Sequence, residues 1–182
     1  MKREPWLVPS AVEYLKLILE RIVEEGRTLK VLETGSGGST LFFMDMGCEV
    51  RSFEHSLKWH KRTMDEIVNT EIEGMVNPLD PMKLGIDLRY DPVYPVKGLK
   101  GLIDDDYDVI LIDGRGRVKS ISTILGCQKN GGWLIVDNME RGKYRDGVRM
   151  LNRIHKEKIH FITKNKRGGD WITTFWKVEK EV

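Results

Sequence analysis

The sequence predicts a single α/β domain over residues 1–182, built as a doubly wound sheet of seven strands with helices on both faces. The sheet is expected to be mostly parallel, with an antiparallel last strand. Three observations predict it. Short β-favouring runs alternate with segments of helical periodicity along most of the chain. Two of those runs, Val109 to Ile112 and Trp133 to Val136, are continuously apolar, as strands buried on both faces of a parallel sheet are. The chain then closes on two β-rich runs, Ile159 to Thr163 and Trp171 to Trp176, whose Lys-Asn-Lys-Arg-Gly-Gly connection is short enough for an antiparallel hairpin. A length of 182 residues suits one core, and no repeat, linker or low-complexity tract divides it.

Each element follows in order. Ser10 to Glu13 has the S-x-x-E form of a capping box, and Ala11, Leu15, Ile18 and Ile22 then recur at helical spacing until Gly26 offers a stop. Ahead of this helix, Trp6 and Leu7 lie between Pro5 and Pro9, and either pack on the helix or form a lid. Lys30 to Leu41 reads KVLETGSGGSTL: a strand, a glycine-rich bend and a helix start capped by Ser39 and Thr40. Val50 to Phe53 makes the second strand, ending at Glu54. Ser56 to Val68 places Leu57, Met64, Ile67 and Val68 on one helical face, with Trp59 either in the core or free to stack on a ring. Glu71 to Asn77 is expected as the third strand.

Pro78 to Gly101 contains four prolines, at 78, 81, 92 and 95, which argues against a long helix there. Tyr90 and Tyr94 in this stretch belong either to a substrate-covering loop or to a surface excursion. The fourth strand, Val109 to Ile112, ends at Asp113; a helix through Ile121, Ile124 and Leu125 follows, then a Gly131-Gly132 turn. The fifth strand ends at Asp137 and Asn138, and Val148, Leu151 and Ile154 mark the next helix.

Composition narrows the function classes. The balance of 30 basic and 28 acidic residues leaves a net charge of +2, so no whole-molecule field argues for nucleic acid. Residues 141–167 hold ten Lys or Arg against two acids, but without a base-stacking aromatic array this reads as a solvated face. Cys48 and Cys127 lie far apart in or beside apolar stretches, which suits reduced, buried thiols. No apolar run approaches the roughly 20 residues that span a bilayer, and Met1 to Leu7 lacks the apolar core of a signal peptide, so a cytoplasmic protein with no membrane partner is expected.

The chemistry centres on the glycine-rich bend. A strand, a tight turn and a helix start form the βα unit that binds nucleotide-like cofactors, and Glu54 stands about twenty residues after the first strand, where an acid can take ribose hydroxyls. Glu33, immediately before the bend, would repel a pyrophosphate but attract the ammonium of an amino acid. The third glycine of the dinucleotide fingerprint is replaced by Thr40. These features favour S-adenosylmethionine over a nicotinamide dinucleotide.

ETGSGGST, followed by FEH at the end of the second strand, resembles the cofactor-binding segments of class I S-adenosylmethionine-dependent methyltransferases, whose sheet is Rossmann-like. In that reading Glu33, Gly35, Ser36, Gly37, Ser39, Thr40, Glu54, His55, Asp80 and Asp113 surround the cofactor. Asp113, Arg115 and Asp137 are the catalytic candidates. Asp113, Asp137 and Asn138 resemble the metal site of catechol-type O-methyltransferases, which implies Mg2+; the plainer reading has the acids bonding loop amides or capping helices. Gly114 and Arg115 stand where that family has a local His and Lys context. Arg115 and Arg117, with Arg141, Lys143 and Arg145, could make the substrate side positive and suit an anionic acceptor, or Arg115 simply pairs with Asp113 or Asp137. The expected activity is methyl transfer to an oxygen of a small-molecule or glycan-like acceptor. The rivals are an NAD(P)-dependent oxidoreductase and a non-catalytic S-adenosylmethionine-binding module.

Overall fold

The computed structural model describes residues 1–74, 85–92, 99, 106–125 and 127–179. Strands β1 (Lys30–Thr34), β2 (Glu49–Glu54), β3 (Ile86–Tyr90), β4 (Tyr107–Ile112), β5 (Gln128–Asp137), β6 (Lys158–Lys164) and β7 (Asp170–Lys177) form one sheet in the order β3-β2-β1-β4-β5-β7-β6. The pairs β3-β2, β2-β1, β1-β4 and β4-β5 are parallel, and β7 runs antiparallel to both β5 and β6. This is the expected sheet.

Helices α1 (Pro9–Glu24), α2 (Gly38–Asp45), α3 (Leu57–Gly74), α4 (Arg117–Ile124) and α5 (Arg145–Ile154) cover it. Successive strand residues point to opposite faces, so the apolar runs feed two cores. Val109, Leu111, Trp133 and Ile135 pack with Leu15 and Leu19 of α1. Ile110, Ile112, Leu134 and Val136 pack with Ile121 and Ile124 of α4 and with Leu151 of α5. Every residue of β4 is buried, as its unbroken apolar run requires.

Three local expectations are corrected. Glu71 to Gly74 continue α3, and the third strand is Ile86–Tyr90, inside the proline-rich stretch; residues 75–77 lie outside the described residues. β3 is a sheet edge in which only Ile86 is buried, and its Asp87 is held by Arg51 at 3.0 Å and Arg89 at 2.6 Å. Its sequence therefore carries little of the apolar signal that reveals a strand. The capping box does not form either. α1 starts two residues earlier, with Pro9 in its first turn and Val8 as an N-cap without a side-chain bond. Gly131 and Gly132 lie inside β5 rather than in a turn before it, where the register against β4 shifts between Tyr107 and Val109. A Cβ on Gly132 would stand 2.9 Å from the Asp108 carbonyl oxygen, so the strand passes there only as glycine.

Cys48 and Cys127 are buried, and neither is in a disulfide. Among the described residues no helix is long and apolar enough to cross a membrane.

Candidate active site

The chain leaves β1 toward β2 and leaves β4 toward β5, so the loops after these neighbouring strands part and open a crevice at their carboxyl ends. Backbone contacts hold the two loops together at its floor. The amides of Asp113 and Gly114 both donate to the Thr34 carbonyl oxygen, at 3.0 and 2.6 Å. Gly35 takes φ 95°, and a Cβ there would meet the Gly114 nitrogen at 2.7 Å, so no side chain fits. Above this floor lies a cavity of about 900 Å³, lined by the Gly35 to Ser39 turn, by Glu54 and His55, by Asp113 to Arg115, and by the N-terminal segment. That volume is at the upper end of small-molecule sites and has room for a cofactor and an acceptor together.

Glu33 does not face this cavity, which corrects its expected role as partner of an ammonium group. It is fully buried, and its carboxylate accepts from the hydroxyls of Ser39, of Thr40 at 2.5 Å and of Ser52 at 2.8 Å. Burial pushes its carboxyl up to about 7, against those three hydroxyls and with a smaller push from Glu54. Thr40 is fully buried as well; its hydroxyl accepts from the Gly37 amide at 3.0 Å, so Glu33 and Thr40 shape the turn from beneath.

Glu54 ends β2 and stands at the cavity edge. Its two oxygens accept from the amides of Ser36 at 2.9 Å and Ser56 at 2.6 Å, and His55 Nδ1 lies 2.9 Å from it. Ser36 and Ser39 also line the cavity. Asp80 lies outside the described residues.

The expected metal trio is organised differently. Only Asp113 of the three lines the cavity. Asp137 is buried and turned toward β7, accepting from Thr173 Oγ1 at 2.6 Å and Trp171 Nε1 at 2.9 Å. Asn138 sits at φ 56°, and its Oδ1 accepts from Arg117 at 3.2 Å. Arg117 is the cation that joins the trio. Its guanidinium donates to the Asp113 carboxylate and carbonyl, each at 2.6 Å, to the Gly114 carbonyl at 3.1 Å and to the Asp137 carbonyl. The Tyr144 ring covers it at 4.9 Å.

A hard dication needs those same oxygens free. With a permanent, nearly buried guanidinium among them, the residues present do not fit Mg2+, and the described residues contain no group of three His, Cys, Asp or Glu suited to a metal. Asp137 is therefore also corrected as a catalytic candidate, because it does not line the cavity and its carboxylate is taken up by Thr173 and Trp171 of β7. Asp113 retains 28% of its side-chain surface. Burial and the Asp137 charge lift its carboxyl well above the ordinary carboxylate range, while Arg117 pulls it back.

The remaining walls include residues that the sequence left ambiguous. The N-terminal segment runs along the glycine turn so closely that a Cβ on Gly38 would meet the carbonyl oxygens of Glu4 at 2.4 Å and Lys2 at 2.5 Å. Leu7 packs into the core, as the packing reading expects, whereas Trp6 lines the cavity with 79% of its surface exposed. Trp59 also lines the cavity, 42% exposed, with Arg62 stacked 5.4 Å from its ring centre. Arg115, Arg141 and Lys143 form an exposed basic rim. The signal for Arg117 as the buried partner of Asp113 was the i,i+4 spacing across the turn into α4, legible only once that turn was known.

No family model matches the sequence, and neither does any curated protein. Solved structures do match. An O-methyltransferase from Bacillus cereus in complex with SAH has a TM-score of 0.61 at 16% identity, with 90% of this chain and 80% of that chain covered. An rRNA methylase from Streptococcus thermophilus has a TM-score of 0.61 at 14% identity, with coverage of 93% and 96%. Spermidine synthase from Thermotoga maritima gives 0.57 at 14%, with coverage of 82% and 53%. At such identities the likeness establishes the fold, which is that of the class I S-adenosylmethionine-dependent methyltransferases.

Proposed function

We propose that this chain is an S-adenosylmethionine-dependent methyltransferase that methylates an oxygen of a small-molecule acceptor, glycan-like molecules included. The observation that carries the reading is the cavity at the β1–β4 switch point, floored by a glycine turn that admits no side chain at Gly35 and edged by the Glu54 carboxylate at the end of β2. Structural likeness to an O-methyltransferase in complex with SAH supports the choice of cofactor and reaction.

Residues 35–39 and Glu54 fit the cofactor, the turn by close backbone approach and Glu54 by accepting ribose hydroxyls; His55 lies beside it. Bound there, the cofactor supplies an electrophilic methyl on a sulfonium. The chain's own contribution is to align the acceptor in line with that methyl, exclude water and take the acceptor's proton. Asp113 suits the last task. It faces the cavity beside the floor, Arg117 fixes one carboxylate oxygen, and a raised carboxyl is a stronger base toward a hydroxyl than an ordinary one. The N-terminal segment, lying along the glycine turn, and Trp6 add a wall to the same cavity.

Asp113→Asn tests this assignment, because the amide can still accept from Arg117 but cannot take a proton. With labelled S-adenosylmethionine and a panel of hydroxylated acceptors, turnover is expected to fall about 100-fold or more, with the affinity for S-adenosylhomocysteine (SAH) nearly unchanged. Undiminished turnover in the variant would remove Asp113 from the chemistry.

A further inference from the structure

A second cavity, of about 610 Å³, opens beside the first and shares Arg115, Arg117, Lys143 and Tyr144 with it. Its remaining lining is Gly116, Val118 and Lys119, so four of its seven residues are cationic and none is acidic. Arg117 is spent on Asp113 and backbone carbonyls. Arg115, Lys119 and Lys143 are exposed, and among the described residues none of them has a carboxylate within ion-pair distance. Some surface cations elsewhere are paired, such as Arg3 with Asp45 at 2.5 Å and Lys164 with Asp170 at 2.6 Å.

Three like charges brought to one concavity repel one another and raise its affinity for an anion. Arginine's planar fork meets two oxygens at once, and lysine adds a point charge on a flexible stem. A carboxylate would balance one of the three charges, whereas a phosphate monoester at neutral pH balances nearly two. We infer that this second cavity is the acceptor's phosphate subsite, so that the acceptor is a small phosphorylated hydroxy compound. Its phosphate would rest on Arg115, Lys119 and Lys143, and its hydroxyl would reach Asp113 through the shared wall. The inference rests on the methyltransferase reading of the larger cavity.

Lys119 lines only the smaller cavity, which separates the two sites experimentally. The test is calorimetric titration of inorganic phosphate, and separately of acetate, into SAH-saturated protein at constant ionic strength. Phosphate is expected to bind at one site without displacing SAH, with acetate at least about tenfold weaker. Lys119→Glu is expected to weaken phosphate about tenfold or more while leaving SAH affinity within about twofold. Lys143→Glu, on a different element, serves as the second variant and is expected to weaken phosphate likewise.

Equal phosphate binding by wild type and both variants, equal binding of acetate, or displacement of SAH by phosphate would each overturn the subsite while leaving the cofactor site intact. Failure of SAH to bind at all would overturn both. A short oligothymidylate that displaces phosphate with about a hundredfold higher affinity would assign the cations to a nucleic-acid backbone and overturn the small phosphorylated acceptor.

Discussion

Arg117 and Glu33 differ most from what their neighbours in sequence suggested, and for the same reason. Each side chain is engaged by the protein itself: Glu33 is held beneath the cavity by three hydroxyls, and Arg117, in the cavity wall, donates to Asp113 and to backbone carbonyls. Glu33 ends a strand next to a glycine turn, a position that reads as ligand-facing, yet three hydroxyls from α2 and β2 converge on it and keep it fully buried. Glu54, Asp113 and the glycine turn were legible because a strand end fixes where a side chain emerges. The inward turn of Asp137 was not, since it depends on Thr173 and Trp171 of β7, more than thirty positions away.

Burial of Glu33 has a pH consequence whose sign is opposite to that of a salt-bridged acid. With its carboxyl raised from 4.5 to about 7, the folded chain keeps a proton that the unfolded chain gives up. Its contribution to stability is therefore full below about pH 4.5 and is lost as pH rises through 7, on the order of 3 kcal/mol over that window. Urea unfolding of Glu33→Gln at pH 5 and pH 8 is expected to show a smaller loss with rising pH than wild type; an identical loss in both would refute the buried, proton-holding Glu33.

At the scale of elements, the strands buried on both faces were the easiest to place. β4 and the apolar part of β5 need no context, because a continuous run of Val, Ile and Leu flanked by polar turns satisfies a two-faced core by itself. β3 needs its neighbour: an edge strand reading Ile-Asp-Leu-Arg-Tyr, set among prolines, is stabilised by pairing with β2 and by the Arg51–Asp87–Arg89 cluster more than by burial. The N-terminal segment was legible as packing or as lid, and its actual course over the glycine turn depends on Gly38 lacking a side chain. Gly38→Ala places a methyl on two backbone carbonyl oxygens, so either the segment or α2 must move. Overpacking of this kind costs about 1–3 kcal/mol. Faster amide hydrogen exchange over residues 2–8 and weaker SAH binding are expected together in this variant; wild-type exchange rates would show that the segment does not lie there.

Over the whole molecule, the sheet order brings four strand ends to one crevice and divides their acids by environment. Glu54 edges the cavity beside the glycine turn, and Asp113 faces it under the hold of Arg117. The net charge of +2 conceals a local asymmetry, because the side of Arg115, Lys119 and Lys143 carries an exposed basic rim while the turn side carries carboxylates. On the reading proposed above, the switch-point cavity takes S-adenosylmethionine and needs no divalent ion. Calorimetric titration of SAH into wild type and Glu54→Ala, each with Mg2+ and with chelator, tests it most directly. Wild type is expected to bind one SAH equally well in both buffers, and Glu54→Ala to bind at least about tenfold more weakly, the loss of a charge-assisted hydrogen bond. Absence of SAH binding in wild type, or binding that requires Mg2+, would contradict the account.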